Sequence, residues 1–257
     1  MVVNIILCFI VFPFSLSFHE ASYAWTSDRF VNLILCFIVL LFSLSFHEAS
    51  HAWTSERFGD PTGRRLGRIT LNPVAHIDLI GTIIFPIVGF LAQSAILFGW
   101  AKPVPVNPSM WRDRKKANIA VSAAGPVSNA FLAIIAFIIL KTLLMSGAVL
   151  PSPSAIGDFL LVAPPELAAH GLVILLTAKI LSIALLLNTA LALFNLIPVP
   201  PLDGSHVLES LLPYEQALAY KQLRPWGVIL LFALILVGVF DFIYGPVLRI
   251  MLLLLYL

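Results

Sequence analysis

The sequence predicts an all-α polytopic membrane protein of about five to six transmembrane helices, and three observations carry that prediction. Of 257 residues, 60% are hydrophobic and 11% charged, where a soluble domain carries about 25% charged residues. The mean hydropathy is +1.00. The apolar residues are gathered into stretches of about 20 or more, the length that crosses a hydrocarbon core of roughly 30 Å. Lys and Arg sit in short loops between those stretches, so a formal charge of +2 suits orientation in a lipid bilayer rather than binding to nucleic acid.

The chain opens on a tandem repeat. Residues 3–30 and 31–58 align as two copies in which about four positions in five are identical. Tyr23 stands where the second copy has His51, and Pro13 where it has Leu41. Copy one therefore reads HEASY, lacks a second imidazole and is not an equivalent metal site. His19 and Glu20 are left without a partner, and Pro13 would kink a helix. Two spanning helices joined only by residues 29–31 would form an antiparallel hairpin with their motifs on opposite faces. Copy one reads as an added first helix, a vestigial signal-anchor-like segment or an artefact of the recorded sequence. Cys8 and Cys36 occupy equivalent places without a CxxC partner, which indicates neither a disulfide framework nor a thiolate metal site.

Further apolar stretches cover about 79–100, 117–150, 171–197 and 226–257, the last divisible at Tyr244-Gly245-Pro246. Arg57, Arg64, Arg65 and Arg68 follow copy two, Lys102, Arg112, Arg114, Lys115 and Lys116 precede 117–150, and Lys221 and Arg224 precede the last stretch. Residues 151–170 hold no Lys or Arg. The positive-inside rule makes the basic loops cytoplasmic, so the ends of copy two and of 171–197 lie near the same face. Residues 79–100 must then begin and end on one side, and a re-entrant β-hairpin near 79–100 is as compatible as a single crossing. GTIIFP, residues 81–86, reads as a short strand entering a protected cavity, with an edge that could pair with a substrate strand.

His47-Glu48-Ala49-Ser50-His51 is HExxH. On a helix the i,i+4 spacing puts both imidazoles on one face, close enough to share a zinc ion, and Glu48 can reach a water there as general base. A catalytic zinc needs a third protein ligand. The best candidate is Asp203 in the run NLIPVPPLDG, where prolines end a helix and Gly204 permits a tight turn that aims the carboxylate.

FHEASHAW followed by FNLIPVPPLDG resembles the site-2 protease family of intramembrane zinc metalloproteases, peptidase M50. LNPVAHID with GT, FGWAKPVPVN and AAGPVSN resemble its small microbial branch without a PDZ domain. The resemblance covers roughly residues 31–225. It implies that His47, His51 and Asp203 bind one Zn²⁺ per chain and that Glu48 is the base. It also equates Asn195 with the family's asparagine ahead of the LDG turn and Asn129 with the GPxxN asparagine. Single-pass membrane proteins or signal-peptide remnants are the implied substrates, in the prokaryotic cell membrane, with the site nearer the cytoplasmic face. The organisation expected is a degenerate hydrophobic segment at 1–30, a metalloprotease core at 31–225 and C-terminal transmembrane segments at 226–257.

Other polar residues at membrane depth have two readings each. Asn129 and Asn195 could orient a substrate carbonyl or stabilise an oxyanion, or could simply hydrogen-bond between helices. His76 could be a partner behind the ligands, a gate, a fourth metal contact or a hydrogen-bonded loop residue. Asn188, seven residues before Asn195, reads as packing glue, and His206 is surplus to the three-ligand count. Rival functions are a metal-ion transporter or channel and a catalytically silent homologue that binds membrane proteins. Neither needs a base beside the ligands.

Overall fold

The computed structural model describes residues 7–10, 27–85, 87–88, 97–151, 161–162 and 171–257. Pro13, His19 and Glu20 lie outside the described residues. Five helical stretches are long and apolar enough to cross a membrane: Ile34–Arg57, Arg114–Met145, Gly171–Asn195, Tyr214–Leu236 and Val239–Tyr256.

β1 (Leu7–Ile10) precedes α1 (Ser27–Arg57), which runs without a break through the repeat junction. No hairpin turn falls at 29–31. The chain leaves α1 through Gly59, whose φ of 110° is a left-handed conformation open to glycine, and enters the short helix α2 (Thr62–Arg65).

Residues 81–84, part of the run 81–86 that the sequence reads as a strand, are helical: Leu79–Ile84 form one π-helical turn. The reason is local. Asp78 accepts the otherwise orphaned N–H groups of Ile80 and Gly81 at 3.1 and 2.8 Å, starting a helix in a run of β-branched residues. Thr82 Oγ1 then donates to the Trp100 carbonyl at 2.7 Å. Among the described residues of 79–100 the strand is β2 (Leu97–Trp100), and its antiparallel partner is β1, with Leu7 opposite Trp100.

α3 (Arg114–Met145) starts at Asp113, whose side chain accepts the N–H of Lys116 at 3.0 Å. A second small pairing joins β3 (Leu150–Pro151) to β4 (Leu161–Val162). α4 (Gly171–Asn195) returns, followed by α5 (Asp203–Leu211), α6 (Tyr214–Lys221), α7 (Gly227–Leu236) and α8 (Val239–Tyr256). The last apolar stretch divides at Gly238, left-handed with φ 80°, and not at 244–246. Gly238 ends α7 in a conformation that costs other residues more, whereas Pro246 sits inside α8 and removes a single rung.

α1, α3 and α4 pack together as the central bundle, with α5 against α3. Without a hydrophobic driving force between helices in lipid, close packing of small residues holds such a bundle. Ala133 and Ala136 of α3 accordingly meet Ala178 and Leu185 of α4, with Leu255 of α8 closing the cluster. On the other side, Val39, Leu40 and Leu44 of α1 pack on Ile183, Leu187 and Leu191 of α4.

Candidate metal centre

The end of α1, the middle of α3 and the start of α5 meet at one buried point. His47 and His51 lie one turn apart on α1, about 15 and 9 Å from its end at Arg57 by helical rise. Both are buried, and their Nε2 atoms stand 3.0 Å apart.

What lies behind each ring decides which nitrogen carries hydrogen. His51 Nδ1 is 2.6 Å from the Val121 carbonyl of α3, which can only accept. His47 Nδ1 is 2.6 Å from Asn129 Oδ1. The Asn129 amide nitrogen donates to Asn188 Oδ1 at 2.8 Å and faces the Ser43 carbonyl at 3.4 Å. Asn188 in turn donates to Ser43 Oγ at 2.9 Å and to the Ala184 carbonyl at 2.8 Å. This relay leaves Asn129 one arrangement, oxygen toward His47. Both imidazoles therefore carry a hydrogen on Nδ1, and in their neutral form they turn Nε2 lone pairs toward each other.

Asp203 completes the triangle. Its Oδ2 lies 3.1 Å from His47 Nε2 and 3.4 Å from His51 Nε2, and beside neutral imidazoles this buried oxygen has no hydrogen-bond donor. Two lone pairs and a carboxylate at such range repel unless a cation lies among them. A tetrahedral zinc with ligands at 2.0–2.1 Å would space them by about 3.3 Å, close to the separations present. The three side chains thus fit a zinc ion. The position of Asp203 comes from the chain on both sides of it. The turn after α4 is closed by Val199 N–H to Ile197 O at 2.8 Å and Leu202 N–H to Val199 O at 2.9 Å. Gly204 presses on the preceding backbone so closely that a Cβ there would stand 2.5 Å from the Leu196 carbonyl carbon. Asn118 of α3 then ties down α5 through the His206 carbonyl and Ser210 Oγ, at 3.2 and 2.7 Å.

The wall opposite is Gly125 of α3. A Cβ at this position would stand 2.5 Å from Nε2 of both histidines, inside the space a metal and its ligands need. Pro126 removes a rung of the α3 ladder in the same turn from which the Val121 carbonyl reaches His51.

Glu48 is fully buried beside the triangle. Its Oε2 accepts the N–H of Val104 at 3.1 Å and its Oε1 has no partner. Among the described residues the buried side-chain polar atoms without a hydrogen bond are Glu48 Oε1, His76 Nδ1, Asn195 Oδ1 and Asp203 Oδ2. Each such atom costs about 1–3 kcal/mol, and all four belong to residues that the sequence singles out.

Residues 35–238 match peptidase family M50. The chain belongs to that family. It is 34% identical over 191 residues, 74% of this chain and 75% of the relative, to "Putative zinc metalloprotease YwhC" of Bacillus subtilis (strain 168). No solved structure matches it. With five helices long and apolar enough to span, this M50 member is a multi-pass membrane protein.

The remaining candidates of the M50 member are placed as follows. His76 donates from Nε2 to the Thr70 carbonyl at 3.0 Å, and burial holds its pKa below the usual imidazole value. Its own carbonyl accepts the N–H of Lys102 at 2.8 Å. Asn195 donates to the Leu191 carbonyl at 3.0 Å. His206 stands outside the cluster of metal-ligating groups. The sequence reading missed Gly125, Val104 and Asp60. Gly125 had a signal, a Gly-Pro pair inside an apolar helix, whereas Val104 acts through its backbone and has none. Asn188, read as packing glue, holds the asparagine that orients His47.

An Asn129→Ala protein should bind zinc about 10–100-fold more weakly, because His47 loses the acceptor that fixes its tautomer. Asn129→Asp, which keeps an acceptor, should retain most of the affinity. Chelator competition measures both.

Proposed function

We propose that this M50 member is an intramembrane zinc endopeptidase in which His47, His51 and Asp203 hold one Zn²⁺ and Glu48 is the general base. The observation that carries the reading is the convergence of two imidazole Nε2 atoms and a carboxylate oxygen without a hydrogen-bond partner at one buried point, next to a buried glutamate with one free oxygen. A zinc ion there supplies Lewis acidity, lowering the pKa of water toward about 7 and polarising a peptide carbonyl.

The chain's own groups do the rest. Glu48 Oε1 takes a proton from the attacking water and returns it to the leaving amine, while Oε2 stays fixed on Val104 N–H. Asn129 has both amide hydrogens committed to Asn188 and Ser43, so we assign it to orienting His47 and not to an oxyanion. Asn195 keeps an amide hydrogen beyond the one given to Leu191 and is our candidate donor to the scissile carbonyl. The substrates are membrane-spanning proteins or peptides. A helical segment hides its carbonyls in i→i−4 bonds and must unwind locally before attack. Arg57 ends α1, Arg64 and Arg65 lie in α2, and Arg112, Arg114, Lys115 and Lys116 lie at or just before the start of α3, which supports a cytoplasmic-side centre; the prokaryotic cell membrane is part of the same proposal.

The test is cleavage of a tagged single-pass membrane protein in liposomes by protein stripped with chelator and then reloaded. Stripping should abolish cleavage and one equivalent of Zn²⁺ should restore it. Cleavage that survives complete stripping would overturn the proposal. Tight zinc binding with no cleavage of any single-pass substrate, together with metal flux into liposomes, would favour a transporter instead.

A further inference from the structure

Twelve residues after Glu48, Asp60 is a buried carboxylate for which the reaction described above has no use. Its Oδ2 accepts the N–H of Asn107 at 2.7 Å and the hydroxyl of Ser55 at 2.9 Å, and its Oδ1 accepts the N–H of Thr62 at 3.0 Å as well as the Thr62 hydroxyl. Trp111 Nε1 donates to the same Ser55 hydroxyl at 2.8 Å. Burial alone would raise the pKa of Asp60, but these donors outweigh it and hold the group ionised. One carboxylate thus joins the end of α1, the start of α2 and the loop 101–107.

That loop carries Val104, whose N–H holds Glu48 Oε2. Pro103 and Pro105 bracket Val104 and restrict its backbone, so a tether at Asn107 is felt three residues away. α2 grips the same residue from the other side. A Cβ at Gly63 would stand 2.9 Å from Ala52 Cβ and 3.6 Å from Val104 Cγ1, so Gly63 packs between the residue after His51 and the side chain of Val104.

We propose that Asp60 is a positioning residue for Glu48: it clamps the loop that presents Val104 N–H, fixing one carboxylate oxygen so that the other stays free for water. The inference rests on the reading of Glu48 as the base. Its signature is a loss in turnover alone, because neither the metal ligands nor the groups that contact substrate change.

Asp60→Asn tests it almost isosterically. The amide has one oxygen where two now accept, so it can serve Thr62 N–H or Asn107 N–H but not both, and the clamp between α2 and the loop is broken. In liposomes kcat should fall about 10–100-fold, with KM within about twofold and bound zinc unchanged. Lys141→Met breaks a tie between α3 and the last helix, and should leave kcat unchanged, so general loosening is separated from the effect. In a Glu48→Gln background Asp60→Asn should cause no further loss. Wild-type kcat in Asp60→Asn, a kcat loss that tracks zinc loss, or an additional loss on top of Glu48→Gln would each overturn the proposal. Failure of the underlying reading looks different: Glu48→Gln would then cleave as well as the wild type.

Discussion

A Glu48→Gln protein is expected to lose about 10²- to 10⁴-fold in kcat while keeping its zinc, the loss of one positioned acid-base group. The substitution is nearly isosteric. Its amide oxygen can still accept Val104 N–H where Glu48 Oε2 does so now at 3.1 Å. The atom that changes is Oε1, buried and unpartnered, which becomes an NH₂ unable to take a proton. Glu48 makes no hydrogen bond to His47, His51 or Asp203, so metal analysis should return about one zinc per chain in both proteins. A Glu48→Gln protein with more than about a tenth of wild-type kcat would remove Glu48 from the role of base.

Gly125→Ala should be as damaging by a different route. Alanine gains about 1 kcal/mol over glycine in intrinsic helix propensity, so α3 itself should not weaken. Its methyl group, however, would stand 2.5 Å from Nε2 of His47 and of His51. Neither ring can retreat without giving up its 2.6 Å bond, His47 to Asn129 and His51 to Val121. Bound zinc should fall to background and cleavage with it, while the helical circular dichroism signal is unchanged. Full zinc occupancy in Gly125→Ala would contradict the packing of α3 against the two histidines.

The helical membrane class was legible because hydropathy is summed over some 20 residues and is insensitive to local detail. The ligand candidates were legible for a similar reason: HExxH is an i,i+4 pattern within one helix, and basic loops placed Asp203 at the same membrane face as His47 and His51. What escaped depends on partners that no local pattern encodes. Leu7-Cys8-Phe9-Ile10 and Leu35-Cys36-Phe37-Ile38 are the same tetrapeptide, yet the first is a strand paired with Leu97–Trp100 and the second lies inside α1. The difference is made by neighbours, not propensity. Residues 81–84 have strand-like composition, but a capping aspartate one turn earlier wins. Asn129 looked equally like an oxyanion donor or glue, and only the relay through Asn188 and Ser43 shows that its hydrogens are committed.

The most direct test of the central claim is the zinc K-edge X-ray absorption spectrum of the purified protein. The account predicts one zinc per chain with two imidazole nitrogens and carboxylate or water oxygens at about 2.0–2.1 Å, and loss of bound zinc in Asp203→Ala. A first shell containing sulfur or a single imidazole, or an unchanged spectrum in Asp203→Ala, would contradict it.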